Sequence, residues 1–401
     1  MNSAVPPRRR RLLSASGALV LAVAVAACSA PGSGGSSSSG SGGAGGGGLP
    51  DTVKVMDVNG LTGPVAFAGT NARKGTELAI EQVEKDGLLG GTKIEVDFKD
   101  AAADPQQAAS LASQAIADPS YAAILGPSAS AQATAVSPIV QQAGMPTVYV
   151  QAGSEGVLVG DATYRLTPPA ASYYDIVGNY LSTQGIQDAS ILYNAGNPTL
   201  AQLGKETVPA LLGNKGVATT GTGSVDVTAQ DFTTPASQIA DQDPDAAFLL
   251  LTGPQYPVAI SQLKQAGFEG EIIGFSAMGA GNLTSAGQTA AGAVWPTNFT
   301  VDQSDEGSKA FVAAYEAKYN GEQPNNYAAE AYDRLWFLAR ALAEAKSADR
   351  AAVVTAMKTV AGQGFDGAQG QLTFDGTDAR VPGVLVRWDG TKEVPVENNG
   401  S

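Results

Sequence analysis

The chain has 401 residues, no histidine, one cysteine, and 38 acidic against 24 basic side chains, for a net charge of −14. Without histidine and with a single thiol, neither a zinc site of ordinary ligands nor Ser-His-Asp or Cys-His catalysis can be assembled. One cysteine excludes an intramolecular disulfide, and the acidic balance disfavours nucleic acid and anionic membrane surfaces as partners.

The N-terminus reads as an export signal. Arg8, Arg9, Arg10 and Arg11 precede an apolar stretch from Leu12 to Ala27, the order of a secretory signal peptide, and the stretch falls short of the about 20 residues of a membrane span. Val25-Ala26-Ala27-Cys28 resembles a bacterial lipobox. Residues 1–27 are therefore expected to be a cleaved signal. Cys28 is expected to carry lipid on the extracytoplasmic face of the bacterial cell membrane. Residues 28–50 follow as a tether, with only Ala30, Pro31 and Ala44 interrupting serine and glycine between Ser29 and Gly48. Such a composition buries too little apolar surface to fold, and about 20 residues of it span roughly 25 Å. Residues 1–27 hold four arginines and no acid, so the mature chain would carry 20 basic and 38 acidic side chains, a net charge of −18.

From residue 49 onward, short apolar runs alternate with longer amphipathic ones. Strands are expected at Thr52–Val58, Lys93–Phe98, Ala122–Leu125 and Pro146–Val150, with helices at Asn71–Lys85, Pro105–Ala117 and Ser130–Gln142 between them. After Pro168-Pro169 the pattern restarts. Helices are expected at Ser172–Thr183, Thr199–Leu212, Pro235–Ala240 and Tyr256–Gln265, and strands at Ala189–Tyr193, Gly216–Thr220, Ala246–Leu251 and Glu271–Ile273. Three helices follow in close succession, Asp305–Tyr319, Tyr327–Ala345 and Asp349–Val360, then short strands at Gln371–Phe374 and Gly383–Trp388. Strand–helix alternation implies right-handed βαβ units on parallel sheets, an α/β fold. Two such series and a returning helical block suggest two open lobes with a cleft, and ligands of open α/β sheets lie beyond the carboxyl ends of the strands.

Several segments, taken in order, resemble the leucine/isoleucine/valine-binding-protein family of ABC-importer solute receptors. They are Gly60-Leu61-Thr62-Gly63-Pro64, the stretch from Asp100 to Ala108 with Asp104-Pro105, and Ile124 to Ser130 running on through Ser137-Pro138 and Ala143-Gly144-Met145-Pro146. Ala329-Glu330-Ala331-Tyr332-Asp333 and the segment from Gly367 through Gly370 and Phe374 to Asp375 complete the set, so the resemblance covers residues 51–390. It implies a type I periplasmic-binding fold, two parallel-sheet lobes joined by three crossings. The expected lobes are 51–167 plus 299–374 and 168–298 plus 375–396. It also implies a monomer that closes on a small solute without a cofactor or metal, hands the solute to membrane permease subunits, and is not an enzyme.

The resemblance places Ser130 at the serine of the first contact loop, with Ser128 beside it. A serine there also suits helix capping, and the two roles are compatible. The second contact loop is Gln151-Ala152-Gly153-Ser154, where Gly153 falls on the family's hydroxyl position and Ser154 can replace it. Phe67 is placed to lay an aromatic face on the ligand, or equally to pack its own loop. Tyr327 and Tyr256, at helix starts, and Asn194 and Ser276, in second-lobe loops, complete the candidates. Relatives that bind amino acids place an acid after the strand matching Glu271–Ile273, whereas here Gly274 to Gly279 holds none. A buried ammonium without a counter-charge is costly, so an amide or carboxylic acid fits these residues better than a zwitterion, unless Asp226 or Asp231 supplies the charge.

A sensor feeding a membrane signalling partner would share every one of these features. A hydrolase is disfavoured: Ser261-Gln262-Leu263-Lys264 matches S-x-x-K inside an expected helix, without its companion motifs.

Overall fold

The structure, a computed structural model, describes residues 48–279 and 281–396. The expected signal peptide, Cys28 and nearly all of the tether lie outside the described residues. Among the described residues no helix is long and apolar enough to cross a membrane.

The chain begins with β1 (Thr52–Asn59), α1 (Ala66–Asp86), β2 (Lys93–Asp100), α2 (Pro105–Ala117), β3 (Tyr121–Leu125), α3 (Ser130–Ala143), β4 (Thr147–Tyr149) and β5 (Thr163–Arg165). These five strands run parallel, with β1 at the centre between β2 and β3. β1 and β3 are buried along nearly their whole length, as continuous apolar runs in a doubly covered parallel sheet must be. The side chains of α1 and those of α2 and α3 pack on opposite faces, in separate cores.

The chain then enters a second sheet through α4 (Tyr174–Gln184), β6 (Asp188–Asn194), α5 (Pro198–Gln202), α6 (Val208–Lys215), β7 (Ala218–Val225), α7 (Thr233–Gln242), β8 (Ala246–Leu250), α8 (Tyr256–Gln265), β9 (Glu271–Ile273) and β10 (Val294–Thr297). It returns to the first with α9 (Glu306–Lys318), α10 (Asn326–Ala345), α11 (Arg350–Gln363), β11 (Phe365–Gly367), β12 (Gly370–Asp375) and β13 (Asp378–Arg380), and ends in the second with β14 (Val384–Trp388) and β15 (Glu393–Pro395). The sheets have the orders β11-β12-β13-β5-β4-β3-β1-β2 and β15-β14-β10-β9-β8-β6-β7. The chain therefore crosses between lobes three times, near 166–169, 298–300 and 381–383. The sequence reading placed the last crossing at 374/375. β13 extends the first sheet beyond that point because Asp378 forms a bidentate pair with the buried Arg165 of β5, at 2.7 and 2.8 Å.

Helix α10 is the axis of the first lobe. Leu335, Leu338, Ala341 and Leu342 are fully buried, and each large aliphatic side chain so placed contributes about 1.5–3 kcal/mol. Gly75 lets α1 lie against α10, since a Cβ there would run into the Ala328 carbonyl.

The expected helices at 105–117 and 256–265 and the strand at 271–273 coincide with α2, α8 and β9. Three differences have local causes. α1 starts at Ala66 rather than Asn71, continuing a 3₁₀ turn over Gly63–Val65 with no polar cap to mark its start. The expected helix Thr199–Leu212 is divided by a π turn over Leu203–Thr207, where Gly204 packs directly on the Tyr193 ring. The strand expected at Gly216–Thr220 begins at Ala218, because Gly216 (φ 71°) ends α6 in the left-handed region. Strands β5, β10, β11, β13 and β15 are three or four residues long, too short for a periodic signal.

Candidate ligand-binding cleft

Three buried hydroxyls join the lobes. Ser130 opens α3 directly after β3, Ser154 follows β4, and Thr199 stands in the first turn of α5 on the second lobe. Thr199 Oγ1 lies 2.9 Å from Ser130 Oγ and 2.8 Å from Ser154 Oγ, and the Ser154 N–H donates to Ser130 Oγ at 3.2 Å. Neither Ser130 nor Ser128 stands at the cap of α3: the flanking residue is Ala129, which makes no side-chain cap bond. The helix end beside the hydroxyls thus keeps unpaired N–H groups and the positive end of its dipole, which favour an anion.

The loop Gln151–Ser154 is held from beneath. Arg165, 2% exposed, donates through Nη1 to the carbonyls of Ala152 and Ser154 at 2.5 and 2.9 Å. Gln151 has φ 62°, a left-handed backbone for a non-glycine residue. Its N–H donates to Thr167 Oγ1 at 2.9 Å and its Nε2 to Glu330 Oε2. The Gly153 carbonyl accepts from Ala170 N of the second lobe at 3.1 Å. A side chain at Gly153 would meet Ala170 and Thr199, so glycine permits the close approach.

Behind this loop lies Glu330, 1% exposed. It accepts from Gln151, from Thr167 Oγ1 at 2.9 Å, from Asn298 Nδ2 at 2.7 Å and from Asn326 Nδ2 at 3.4 Å. Burial pushes its carboxyl up to about 7, against the pull of those donors. Asp333, one turn on, is likewise raised by burial to about 7 despite N–H bonds from Ala368 and Gln369. Among the described residues no three His, Cys, Asp or Glu side chains gather as metal ligands would.

A family model described as "Periplasmic binding protein" matches residues 52–391. The chain belongs to the periplasmic binding protein family. The Pseudomonas aeruginosa leucine-, isoleucine-, valine-, threonine- and alanine-binding protein is 23% identical over 81% of this chain and 86% of its own. Among solved structures, the branched-chain amino acid transporter substrate-binding protein LivJ of Streptococcus pneumoniae, in complex with isoleucine, superposes with TM-score 0.77. It is 22% identical and covers 86% of this chain and all of that one. A solute-binding protein of an ABC transporter from R. palustris, in complex with benzoate, gives TM-score 0.77 at 19% identity, covering 86% and 95%. At these identities the superpositions establish the fold, type I periplasmic-binding, as the sequence resemblance implied.

As a periplasmic binding protein, the chain brings Ser130, Gly153 and Ser154 to one point of contact between its lobes. Phe67 and Tyr327 form a second group. Their rings meet edge to face at 6.1 Å, and Phe67 Cζ lies 4.0 Å from where a Cβ on Gly281 of the second lobe would sit. Phe67 is 43% exposed and rides the first turn of α1 rather than a loop. Tyr256 joins neither group. Its hydroxyl donates to Leu249 O at 2.9 Å and accepts from Leu251 and Phe275 N–H at 3.2 Å, tying the ends of β8 and β9 inside the second-lobe core. Asn194 is a scaffold: Oδ1 accepts from Gly196 and Asn197 N–H, and Nδ2 donates to Gln255 Oε1. Ser276 is buried in a short 3₁₀ turn of the second-lobe loop, and Ser128 is half-buried. Asp226 and Asp231 are spent on exposed turns, holding Thr228 and Thr233. One carboxylate does approach the acid-free loop from elsewhere: Glu393, whose Oε1 lies 2.8 Å from where a Cβ on Gly279 would stand. Sequence reasoning did not single out Thr199, Arg165 or Glu393, and gave no role to Glu330.

Proposed function

We propose that the chain is an extracytoplasmic solute-binding lipoprotein of an ABC importer, lipidated at Cys28, that closes its lobes on a small carboxylate and presents it to membrane permease subunits. The observation that carries the ligand class is the Ser130–Ser154–Thr199 cluster beside an uncapped helix N-terminus. Hydroxyl donors and a positive dipole end suit a carboxylate and supply nothing specific to an ammonium. Isoleucine and benzoate, the ligands named for two structural relatives, have the carboxylate in common. The body of the ligand would face Phe67 and Tyr327. The acid-free loop from Gly274 to Gly279 favours a monocarboxylate or an amide over an amino acid, and Glu393 is the group that would reverse this preference. Residues 51–167 with 299–380 would form one moving lobe and the remainder the other.

Thermal unfolding of the purified chain against aliphatic and aromatic carboxylates, their amides, and the amino acids leucine and valine tests this reading. A ligand at 100 times its dissociation constant stabilises by about 2.7 kcal/mol. Benzoate or 4-methylpentanoate is expected to raise the midpoint by several degrees while leucine and valine leave it unmoved. A shift with leucine alone would transfer the ammonium-partner role to Glu393, and silence across the panel would remove the carboxylate reading.

A further inference from the structure

Glu330 meets more of the chain than its burial requires. Its four donors come from the second contact loop (Gln151), the first crossing (Thr167), the second crossing (Asn298) and its own helix (Asn326). The Thr167 hydroxyl that donates to Glu330 also accepts the Gln151 N–H at 2.9 Å. Asn298 reaches on to Gln369, whose Nε2 donates to Leu166 O at 3.1 Å and to Asp333 Oδ2 at 3.0 Å. One carboxyl thus touches the loop that carries Ser154 and two of the three inter-lobe crossings.

In a hinge, the few crossing residues absorb the change in backbone angles. Thr167 and Asn298 cannot swing without drawing on Glu330, and Glu330 holds Gln151 in its left-handed form. We propose that Glu330 is a positioning residue that locks the Gln151–Ser154 loop to the arrangement of the first two crossings seen here, so that loop and hinge change together. The ligand-bearing role of the loop rests on the cleft reading above; the coupling rests on the hydrogen bonds alone. The titratable groups facing Glu330 are Asp333 and Tyr327 on α10 and Tyr173 from the start of the second lobe; Arg165 of β5 acts on Tyr173 and grips the same loop. Tyr173 is buried, and its hydroxyl has no partner among the described residues. The loop, the second crossing and the Gln369 turn add no titratable group. Ionising a buried carboxyl favours the arrangement that admits water to it.

Hydrogen exchange of the full chain, without ligand, tests the coupling. Peptides spanning 150–154, 165–169 and 296–300 report on the loop and the two crossings; 188–194 and 246–250 in the second-lobe core serve as controls. Glu330→Gln is expected to raise exchange about tenfold in all three segments together, with the controls unmoved. Gln151→Ala, which cuts only the loop's side of the tie, is expected to raise exchange at 296–300 as well as in the loop. In the wild type, exchange corrected for its intrinsic pH dependence is expected to rise between pH 6 and 8 in these segments, and in Glu330→Gln to rise less, the remainder belonging to Asp333. A Gln151→Ala effect confined to the loop, or wild-type segments indifferent to pH, would overturn the proposal. If Glu330→Gln fails to fold, the Gln151→Ala and wild-type arms decide alone. A negative ligand panel does not bear on the measurement.

Discussion

The Thr199 hydroxyl of the second lobe lies 2.8 Å from the Ser154 hydroxyl of the first. Ser130 completes the triangle at 2.9 Å from Thr199. A carboxylate bound by the two serines, as proposed above, would meet Thr199 from the opposite lobe, and on that reading Thr199 joins the binding set. Thr199→Val keeps the shape and removes the donor. Calorimetric titration with the carboxylate found by the thermal panel is expected to show about a tenfold loss of affinity, the worth of one hydrogen bond to a charged group. The unfolding midpoint without ligand is expected to change little.

Arg165 is expected to matter to both stability and binding. It is paired with Asp378 and donates to two carbonyls of the contact loop. Arg165→Ala leaves those carbonyls and the carboxylate without their donor, at a cost of about 2–4 kcal/mol by denaturant titration. Arg165→Lys retains the charge but loses the planar fork, and is expected to lie between alanine and the wild type. Loss of ligand affinity with unchanged stability in either variant would contradict the view that Arg165 acts by holding the loop.

The alternation of strands and helices and the two lobes were legible because each follows a local pattern, whereas the serines of the first-lobe loops were placed only by the family resemblance. Thr199 was not legible, although Asn197-Pro198 marks a helix start and Asn197 does cap it. Its partners stand 69 and 45 residues away, in the other lobe. Tyr256 shows the converse failure, since position at a helix start does not say whether a ring turns toward the cleft or the core. Glu330 left a readable trace. Tyr327, Glu330, Arg334, Leu338 and Leu342 recur at helical spacing and are all buried, so an acid and an arginine sit on an apolar stripe. Such a pattern calls for buried partners, but Thr167 and Asn298 could be named only once the crossings were folded together.

Stability is expected to fall as mildly acidic solution is made neutral. Glu330 rises from its ordinary 4.5 to about 7 on folding, and Asp333 from 3.8 to about 7, both by burial. The folded state binds these protons more tightly than the unfolded state. Their contribution is complete below the unfolded values and is lost as pH rises through about 7. In the opposite sense, Asp100, Asp226 and Asp389 are held below the usual carboxylate range, by the Thr62 hydroxyl, the Thr228 N–H and the Lys392 N–H respectively. Their contribution is lost as pH falls through those lowered values. The thermal midpoint is therefore expected to peak in mildly acidic solution, and Glu330→Gln to flatten the decline between about pH 5 and 7. A wild-type midpoint that climbs from pH 5 to 7 would contradict this account.

The ion pair of Asp57 and Arg334 is expected to be costly to break and cheap to replace. Both side chains are fully buried, with Arg334 Nη2 2.5 Å from Asp57 Oδ2 and 3.0 Å from Thr76 Oγ1. Burial pushes the Asp57 carboxyl up despite the guanidinium beside it, and Arg334 Nε and Nη1 have no partner among the described residues. For Asp57 the cost of burial thus exceeds the guanidinium's pull, and the pair is expected to fix how β1 meets α10 more than to stabilise the lobe. Arg334→Met alone strands a buried carboxylate, and Asp57→Leu alone strands a guanidinium; each is expected to cost about 3–5 kcal/mol. The double variant removes both charges and is expected to recover most of that loss in denaturant titration. A double variant as unstable as the sum of the single ones would instead mean that the pair's attraction exceeds its desolvation, and that β1 and α10 depend on it for stability as well as for register.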